Sequence, residues 1–382
     1  MSTLKVAALQ GVSASSDAIT LANDGSCTAN ITNNLSNRRL TINGDMKIAQ
    51  RGTSATGTGY KTVDRFTSQG SGSQGLTQSQ DTDVPTGQGF SKSLKFDCTT
   101  ANASPSAGDN LAITYKIEAQ DLQQIANGTS SAKKLTLSFW VKSPKTGNHA
   151  VGLYKDDNTG RQNTKTYSVS AANTWEKKTV TYDGDTSGGG IANDNGLGIQ
   201  INWFLLAGSN FTSVDSTSWV NYSDAAWAYG HAVNVFDNTA NNFYITGVQL
   251  EVGSVATDFE HRSFGQELAL CQRYFEQSYD YGTAAGTATS TGCNNNGGLT
   301  GVNNASHATR ASIQYKVTKK GIPTVTTFDL SGNSGKCNFP DTSANVTMTV
   351  LQGGANGCGV ETSAVTSTDT RCYWHFTAES EL

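Results

Sequence analysis

A succession of short segments in which apolar and polar residues alternate is the feature that most constrains the fold of this chain. LTLSFWV is an example, since successive side chains of a strand point to opposite sides. The residues on its apolar face are Leu135, Leu137, Phe139 and Val141. Comparable segments are SKSLKFDCT, LAITYKIEA, HAVGLYKD, TKTYSVS, EKKTVTYD and GIQINWFLLA, most of them bounded by Gly, Asn, Asp or Ser. The pattern predicts an all-β fold of the sandwich or jelly-roll type.

The charge and the motif content argue against several classes of protein. The formal net charge is −4, whereas a nucleic-acid-binding protein needs a concentrated basic surface. No run approaches the roughly 20 apolar residues of a membrane-spanning helix. No GxSxG elbow, HExxH motif or phosphate-binding loop occurs in the sequence. We therefore expect no nucleic-acid partner, no membrane insertion and no catalytic residues.

Three regions follow from the spacing of these segments. Residues 1–37 are predicted to form an extended N-terminal attachment and oligomerisation arm, which is too small to bury a core alone. Residues 38–262 are predicted to form the jelly-roll domain, with a helical interlude at 117–128. Residues 263–382 are predicted to form a helix at 263–277 and a smaller β-sandwich. Ser263 and Gln266 have the spacing of a capping box at the start of that helix.

An aromatic cluster in the segment SWVNYSDAAWAYGHAVN is the candidate ligand site. Its members are Trp219, Asn221, Tyr222, Asp224, Trp227, Tyr229 and His231. Flat aromatic rings can stack on the apolar faces of sugars, while amide, carboxylate and imidazole groups hydrogen-bond the hydroxyls. The alternative is that these aromatic residues pack beneath a long loop as a satellite core.

Other aromatic, charged and sulfur-containing residues are predicted to be structural. Trp203 and Phe204 lie in an apolar run and Trp140 in an alternating strand, and all three are predicted to be core residues. The motif residues Asp64-Arg65 and Glu260-His261-Arg262 are predicted to join the two ends of the sandwich by an arginine–carboxylate pair. The seven cysteines lack zinc-ligand spacing and are expected to be free thiols. Oxidation of a pair among the last four, Cys293, Cys337, Cys358 and Cys372, is left open.

Several linked motifs carry a resemblance to a known group of proteins. They are Asn43-Gly44-Asp45-Met46, Ala49-Gln50-Arg51-Gly52, Asp64-Arg65-Phe66, LTLSFWVKS, QLEVG, ATDFEHR, ELALCQRYF and the terminal HFTAESEL. With these motifs, the chain resembles tail fibres and receptor-binding surface proteins of tailed phages, particularly marine, cyanophage-like ones. Its main domain is similar to the jelly-roll carbohydrate-binding modules that are attached to enzymes and fibres.

The resemblance implies a function in adsorption. The protein is expected to be made in the host cytoplasm and to act as a homotrimer on the virion tail. The arm is expected to bind another tail protein, and the β domains are expected to contact host surface polysaccharide. The main alternative is a structural component of the head or tail, such as a decoration or adaptor protein without a ligand. A third is a polysaccharide depolymerase.

The resemblance also implies a structural Ca²⁺ at one corner of the jelly roll. Asp45, which follows Asn43-Gly44, is the expected ligand, since Ca²⁺ prefers carboxylate and carbonyl oxygens. The alternative is that this aspartate merely satisfies the geometry of a turn. No other cofactor is expected to be required.

Overall fold

The computed structural model describes residues 6–10, 12, 19–21, 27–29, 37–296, 309–340, 344–363 and 371–382. The N-terminal arm contains the strands β1 (Ala8–Leu9), β2 (Ile19–Leu21) and β3 (Cys27–Ala29), which form one antiparallel sheet. Among the described strands, these three pair only with one another. Leu9 and Leu21 are 49% and 39% exposed, so the arm has no core of its own in the described chain.

The main domain is a sandwich of two six-stranded sheets. The first, which we call the front sheet, has the order β14-β11-β10-β13-β8-β5. Its strands are β5 (Phe66–Ser71), β8 (Asn110–Glu118), β10 (Gly147–Lys155), β11 (Arg161–Val169), β13 (Leu197–Ala207) and β14 (Val220–Asn221). The second, the back sheet, has the order β12-β9-β15-β7-β6-β4. Its strands are β4 (Ser54–Thr56), β6 (Gly75–Asp81), β7 (Ser93–Thr100), β9 (Leu135–Lys142), β12 (Trp175–Tyr182) and β15 (Asn242–Val252).

The core lies between the two sheets and follows the alternation of the sequence. The apolar face of β9, from Leu135 to Val141, is buried, as predicted. Trp203 of β13 is fully buried opposite it, with its ring 5.9 Å from that of Phe139 in an edge-on contact. Burial of each such side chain contributes about 1.5–3 kcal/mol relative to exposure. The all-β prediction is therefore confirmed.

The helical interlude is shorter than predicted and has a different geometry. It is a 3-10 helix at Ala119–Ile125, packed through Ala119, Leu122 and Ile125. Ile117 belongs to strand β8 instead. The turn ends at Ala126, which has a left-handed backbone with φ of 51°.

The C-terminal part begins with helix α1 (Phe264–Gln272) and continues as antiparallel strands. These are β16 (Phe275–Gln277), β17 (Asn294–Asn295), β18 (Arg310–Gln314), β19 (Thr324–Phe328), β20 (Lys336–Phe339), β21 (Ala344–Leu351), β22 (Gly357–Thr362) and β23 (Tyr373–Glu379). The predicted capping box of Ser263 and Gln266 is present. The prediction that the helix extends to residue 277 was wrong, because Phe275–Gln277 pairs with Thr377–Glu379 of β23.

The C-terminal strands enclose a second, smaller core. Strand β23 lies at its centre and pairs with β16, β17, β19 and β20. Trp374 is 1% exposed there, beside the fully buried Cys337 and Cys372. A thiol–thiol hydrogen bond between these two cysteines raises the pKa of Cys337. All six cysteines whose side chains the structure describes are free.

Buried ion pairs connect the C-terminal part to the main domain. Their members are Arg39 with Glu267, Arg65 with Glu381, Arg51 with Glu381, and Arg273 with Glu118. Within the main domain, Arg51 also pairs with Asp64. The predicted pairing of Asp64-Arg65 with Glu260-His261-Arg262 is therefore not found, because each group has a different partner. Glu260 accepts hydrogen bonds from the backbone N–H groups of Asn37 and Arg39.

Candidate functional site

The predicted aromatic cluster is divided between the protein interior and the surface. Asn221, Tyr222 and Asp224 are exposed, and Tyr222 retains 45% of its surface. Trp219, Trp227 and Tyr229 are partly buried, and His231 is buried. The segment therefore presents one exposed ring with two polar neighbours rather than a broad aromatic platform.

Trp219 and His231 have structural partners. The indole Nε1 of Trp219 donates to the carbonyl oxygen of Asp183 over 2.7 Å, and the ring packs on the main core. His231 is 7% exposed, and its Nδ1 accepts a hydrogen bond from the backbone N–H of Ala150. Burial and the neighbouring His149 ring lower the pKa of His231 to about 3, so that its imidazole is neutral at physiological pH.

Trp227 covers an apolar part of the outer face of the front sheet. The side chains beneath it are Ala112, Ala150 and Phe204, and Phe204 is fully buried although it points away from the main core. The Trp227 ring meets Phe204 and Phe211 edge-on, at centroid distances of 4.9 and 5.6 Å. This arrangement matches the satellite core that the sequence left as the alternative.

Replacing Trp227 with alanine is expected to lower the free energy of unfolding by about 2–3 kcal/mol, somewhat less than a fully buried tryptophan costs. Thermal and urea unfolding measure the change. Tyr222→Ala is the matched control in the same segment and should change stability by less than about 1 kcal/mol, since its ring is exposed. An unchanged stability of Trp227→Ala, together with lost glycan binding, would instead favour a stacking platform.

The remaining outer face of the front sheet is polar and is organised in two rows across the strands. The first row, which we call the amide row, contains Gln162, Tyr154, Gln200 and Lys116. The second, the trough row, contains Thr164, Gly152, Asn202, Thr114 and Thr67. Gly152 has no side chain, and Thr164, Asn202 and Thr114 are each at most 1% exposed, so the row is closely packed and mostly covered by its neighbours.

Asn202 positions the amides of this surface. Its Oδ1 accepts hydrogen bonds from Gln200 Nε2 at 2.8 Å, Thr114 Oγ1 at 3.0 Å and Gln69 Nε2 at 3.4 Å. Gln69 and Gln200 are thereby held with fixed orientations at the edges of the trough row. Gln162 is 1% exposed, and its Oε1 has no hydrogen-bond partner within the described chain. Fixed amides that can donate and accept suit the recognition of hydroxyl groups.

Two tyrosines stand at the end of the amide row. The rings of Tyr154 and Tyr222 meet edge-on at 5.2 Å. Their hydroxyls donate to the carboxylates of Asp156 and Asp224, at 2.5 and 2.6 Å. Burial and the Asp156 carboxylate raise the pKa of Tyr154 to about 12. The predicted residues Tyr222 and Asp224 thus help to build one border of the polar face.

Sequence reasoning missed the centre of this surface, although a signal for it was present. In GIQINWFLLA, Gln200 and Asn202 alternate with apolar residues of the main core. The outward positions of a strand that faces solvent usually hold Ser and Thr, whereas this long central strand holds two amides. The amides were the signal that this side of the strand has hydrogen-bond partners of its own. The pairing with Tyr154 and Gln69, however, depends on strand order.

Asp45 lies where the sequence predicts it, in a turn next to strand β15. Its side chain is nearly buried, and Oδ2 forms an ion pair with Lys47 Nζ at 2.7 Å. Its Oδ1 has no hydrogen-bond partner within the described chain. Among the described residues, no group of three or more His, Cys, Asp or Glu side chains is arranged to hold a metal ion. One carboxylate already paired with lysine does not fit a calcium site of six to eight oxygens, and Ca²⁺ binding stays an untested prediction.

None of the helices in the described ranges has the length and apolar composition that crossing a membrane requires.

Comparison with known proteins gives distant structural similarities. No protein-family model matches the chain, and no curated protein matches it. The enzymatically active domain of tailspike protein 4 from bacteriophage CBA120 is similar with 14% identity and a TM-score of 0.31. That match covers 56% of this chain and only 21% of the tailspike chain.

Several carbohydrate-binding modules are similar at the same level. The family 11 module of a cellulosomal cellulase of Clostridium thermocellum has 11% identity and a TM-score of 0.27, over 56% of this chain and 99% of the module. TmCBM61, solved in complex with β-1,4-galactotriose, has 9% identity and a TM-score of 0.27, with the same coverage. The similarities are distant, and the assignment of a β-sandwich rests on the strands of this chain itself.

Proposed function

We propose that this protein is a virion surface protein that binds host glycans through the outer face of its front sheet. The observation that carries the proposal is the border of Tyr154 and Tyr222 beside the amides that Asn202 fixes. A glycan lying across this face would contact the partly exposed Gln69 and the 8% of Gln200 that remains accessible, and not the buried centre of the row. Its ring faces would contact the exposed tyrosine.

The arm and the oligomeric state belong to the same proposal. Strands β1–β3 pair only with one another among the described strands and leave Leu9 and Leu21 exposed. We infer that the arm binds another tail protein and that three copies of the chain assemble. Several weak glycan sites on one particle then act together, because linked sites raise the effective concentration of each other.

Glycan-array binding of the purified protein tests the proposal. Tyr222→Ala should weaken binding of the recognised glycan about tenfold, which corresponds to about 1.4 kcal/mol. Its melting temperature should hardly change. Tyr281→Ala is the control, since Tyr281 is also 45% exposed but lies outside this face.

The alternatives predict other results. A decoration or adaptor protein binds no glycan on the array, and a depolymerase releases reducing sugar from host polysaccharide. Binding that is unchanged by Tyr222→Ala would contradict the assignment to the front sheet.

A further inference from the structure

A cavity lies on the opposite side of the sandwich, on the outer face of the back sheet. Its volume is about 290 Å³. Its aromatic lining consists of Phe90, Trp140, Phe259 and the imidazole of His261. Its polar lining includes Gln88, Ser138, Lys177 and Asp258. The prediction that Trp140 is a core residue was therefore wrong: it lies on the outer face of β9, opposite the buried face that contains Phe139.

Glycine residues make room for the cavity. The register of β15 shifts between Thr246 and Gln249, and Gly247 lies in this bulge with φ of 63°. A Cβ atom at Gly247 would lie 2.7 Å from Phe90 and 3.0 Å from Trp140. Any other residue would therefore displace the two rings or strain the backbone.

Packed rings hold one wall of the cavity in place. Phe259 meets Phe90 and His261 edge-on, at centroid distances of 5.1 and 4.9 Å. The guanidinium of Arg39 lies 4.8 Å from the centre of the Phe259 ring. Arg39 is itself fixed by the fully buried Glu267. The wall is thus preorganised by the same ion pairs that join the two parts of the chain.

The polar groups that line the cavity are free to bind a ligand. Within the described residues, the Lys177 ammonium, the Asp258 carboxylate and the Trp140 indole N–H have no hydrogen-bond or ion-pair partner. Burial lowers the pKa of His261 below its ordinary value of 6.5, which favours the neutral imidazole. The lining therefore offers donors and acceptors together, over an aromatic wall.

We propose that this cavity binds a single neutral pyranose ring, such as a terminal sugar of a glycan. Hydroxyl groups both donate and accept, which matches an ammonium and a carboxylate that share one small pocket. The opposite charges of Lys177 and Asp258 offset each other, so the pocket carries no net charge that would favour an acidic or a basic sugar. Trp140 and Phe90 supply the apolar surface against which one face of the ring packs.

This site goes beyond the glycan face of the front sheet and does not depend on it. With binding sites on opposite sides of the sandwich, one subunit could contact two strands of a polysaccharide. The two contacts would then strengthen each other by avidity.

Ligand-observed NMR with the methyl glycosides of glucose, galactose, mannose and N-acetylglucosamine tests the proposal. At least one glycoside should show saturation transfer, and Asp258→Asn or Lys177→Ala should weaken its binding about tenfold. Neither side chain has a protein partner, so both variants should fold normally. Trp140→Ala should abolish binding.

Matched controls separate this site from the front sheet. Trp175→Ala changes another outward tryptophan of the back sheet, paired in register with Lys142, and should leave binding unchanged. Tyr222→Ala should also leave binding at this cavity unchanged, whether or not the front sheet binds a glycan. The proposal is overturned if no glycoside binds, if binding survives both Trp140→Ala and Asp258→Asn, or if glucuronate binds more tightly than glucose.

Discussion

Replacing Glu381 with alanine is expected to lower the free energy of unfolding by about 3–5 kcal/mol, although the residue is next to last in the chain. Its carboxylate pairs with Arg65, whose side chain is 1% exposed and lies 3.3 Å from the centre of the Tyr274 ring. Without Glu381, the guanidinium remains buried with no opposite charge. Urea unfolding of the full-length protein measures the loss.

Glu379→Ala is the matched control for this experiment. Its side chain is 47% exposed and lies 3.5 Å from Arg51, and an exposed pair contributes about 0–1 kcal/mol. Equal effects of the two substitutions would show that the C-terminal residues stabilise the fold through the backbone and not through the Arg65 pair. The same experiment tests whether the two parts of the chain unfold together.

The buried His231 is expected to make the protein less stable in acid. Burial lowers its folded pKa to about 3 from an ordinary value of 6.5. Between these two values the unfolded chain binds a proton that the folded protein does not, and stability falls as the pH falls. At about pH 4 the loss from this residue should be about 3 kcal/mol relative to pH 7.

His231→Asn isolates this contribution, because asparagine keeps an acceptor for the Ala150 N–H and cannot be protonated. The variant should lose about 3 kcal/mol less than the wild type between pH 7 and pH 4. The wild type and the variant are compared at each pH because Asp64 contributes a change of opposite sign to both. Burial raises the pKa of Asp64 to about 6, so protonation of this carboxyl favours the folded protein as the pH falls. His149, whose pKa burial also lowers, remains in both proteins. Parallel pH curves for the two proteins would contradict the prediction.

The local pattern predicts those elements whose signal lies within a few residues. The alternation in LTLSFWV identifies the buried face of β9, because the period of a strand is two residues wherever it pairs. The capping box of Ser263 and Gln266 was found for the same reason, since both hydrogen bonds join residues three apart. The helix end was missed, because β23, about 100 residues later, pairs with Phe275–Gln277.

Long-range contacts decide which side of helix α1 is buried. Phe264 is the first residue of the helix and is apolar, yet its ring is 46% exposed, whereas the charged Glu267 is fully buried. Arg39, more than 200 residues earlier, supplies the charge that makes the burial of a carboxylate tolerable. No pattern within the helix contains that information.

The sequence by itself determines the all-β class, the approximate strands and the helix cap, since each depends on neighbouring residues. Only the tertiary structure decides what the surfaces contain. Phe90, Trp140 and Phe259 come from three distant segments and meet because the back sheet and its loops bring them to one cavity. The amides of the front sheet likewise become one surface through the pairing of Gln200 with Tyr154 and of Asn202 with Thr114. Strand order and register depend on contacts across the whole chain, and they bring together side chains that local periodicity cannot place side by side.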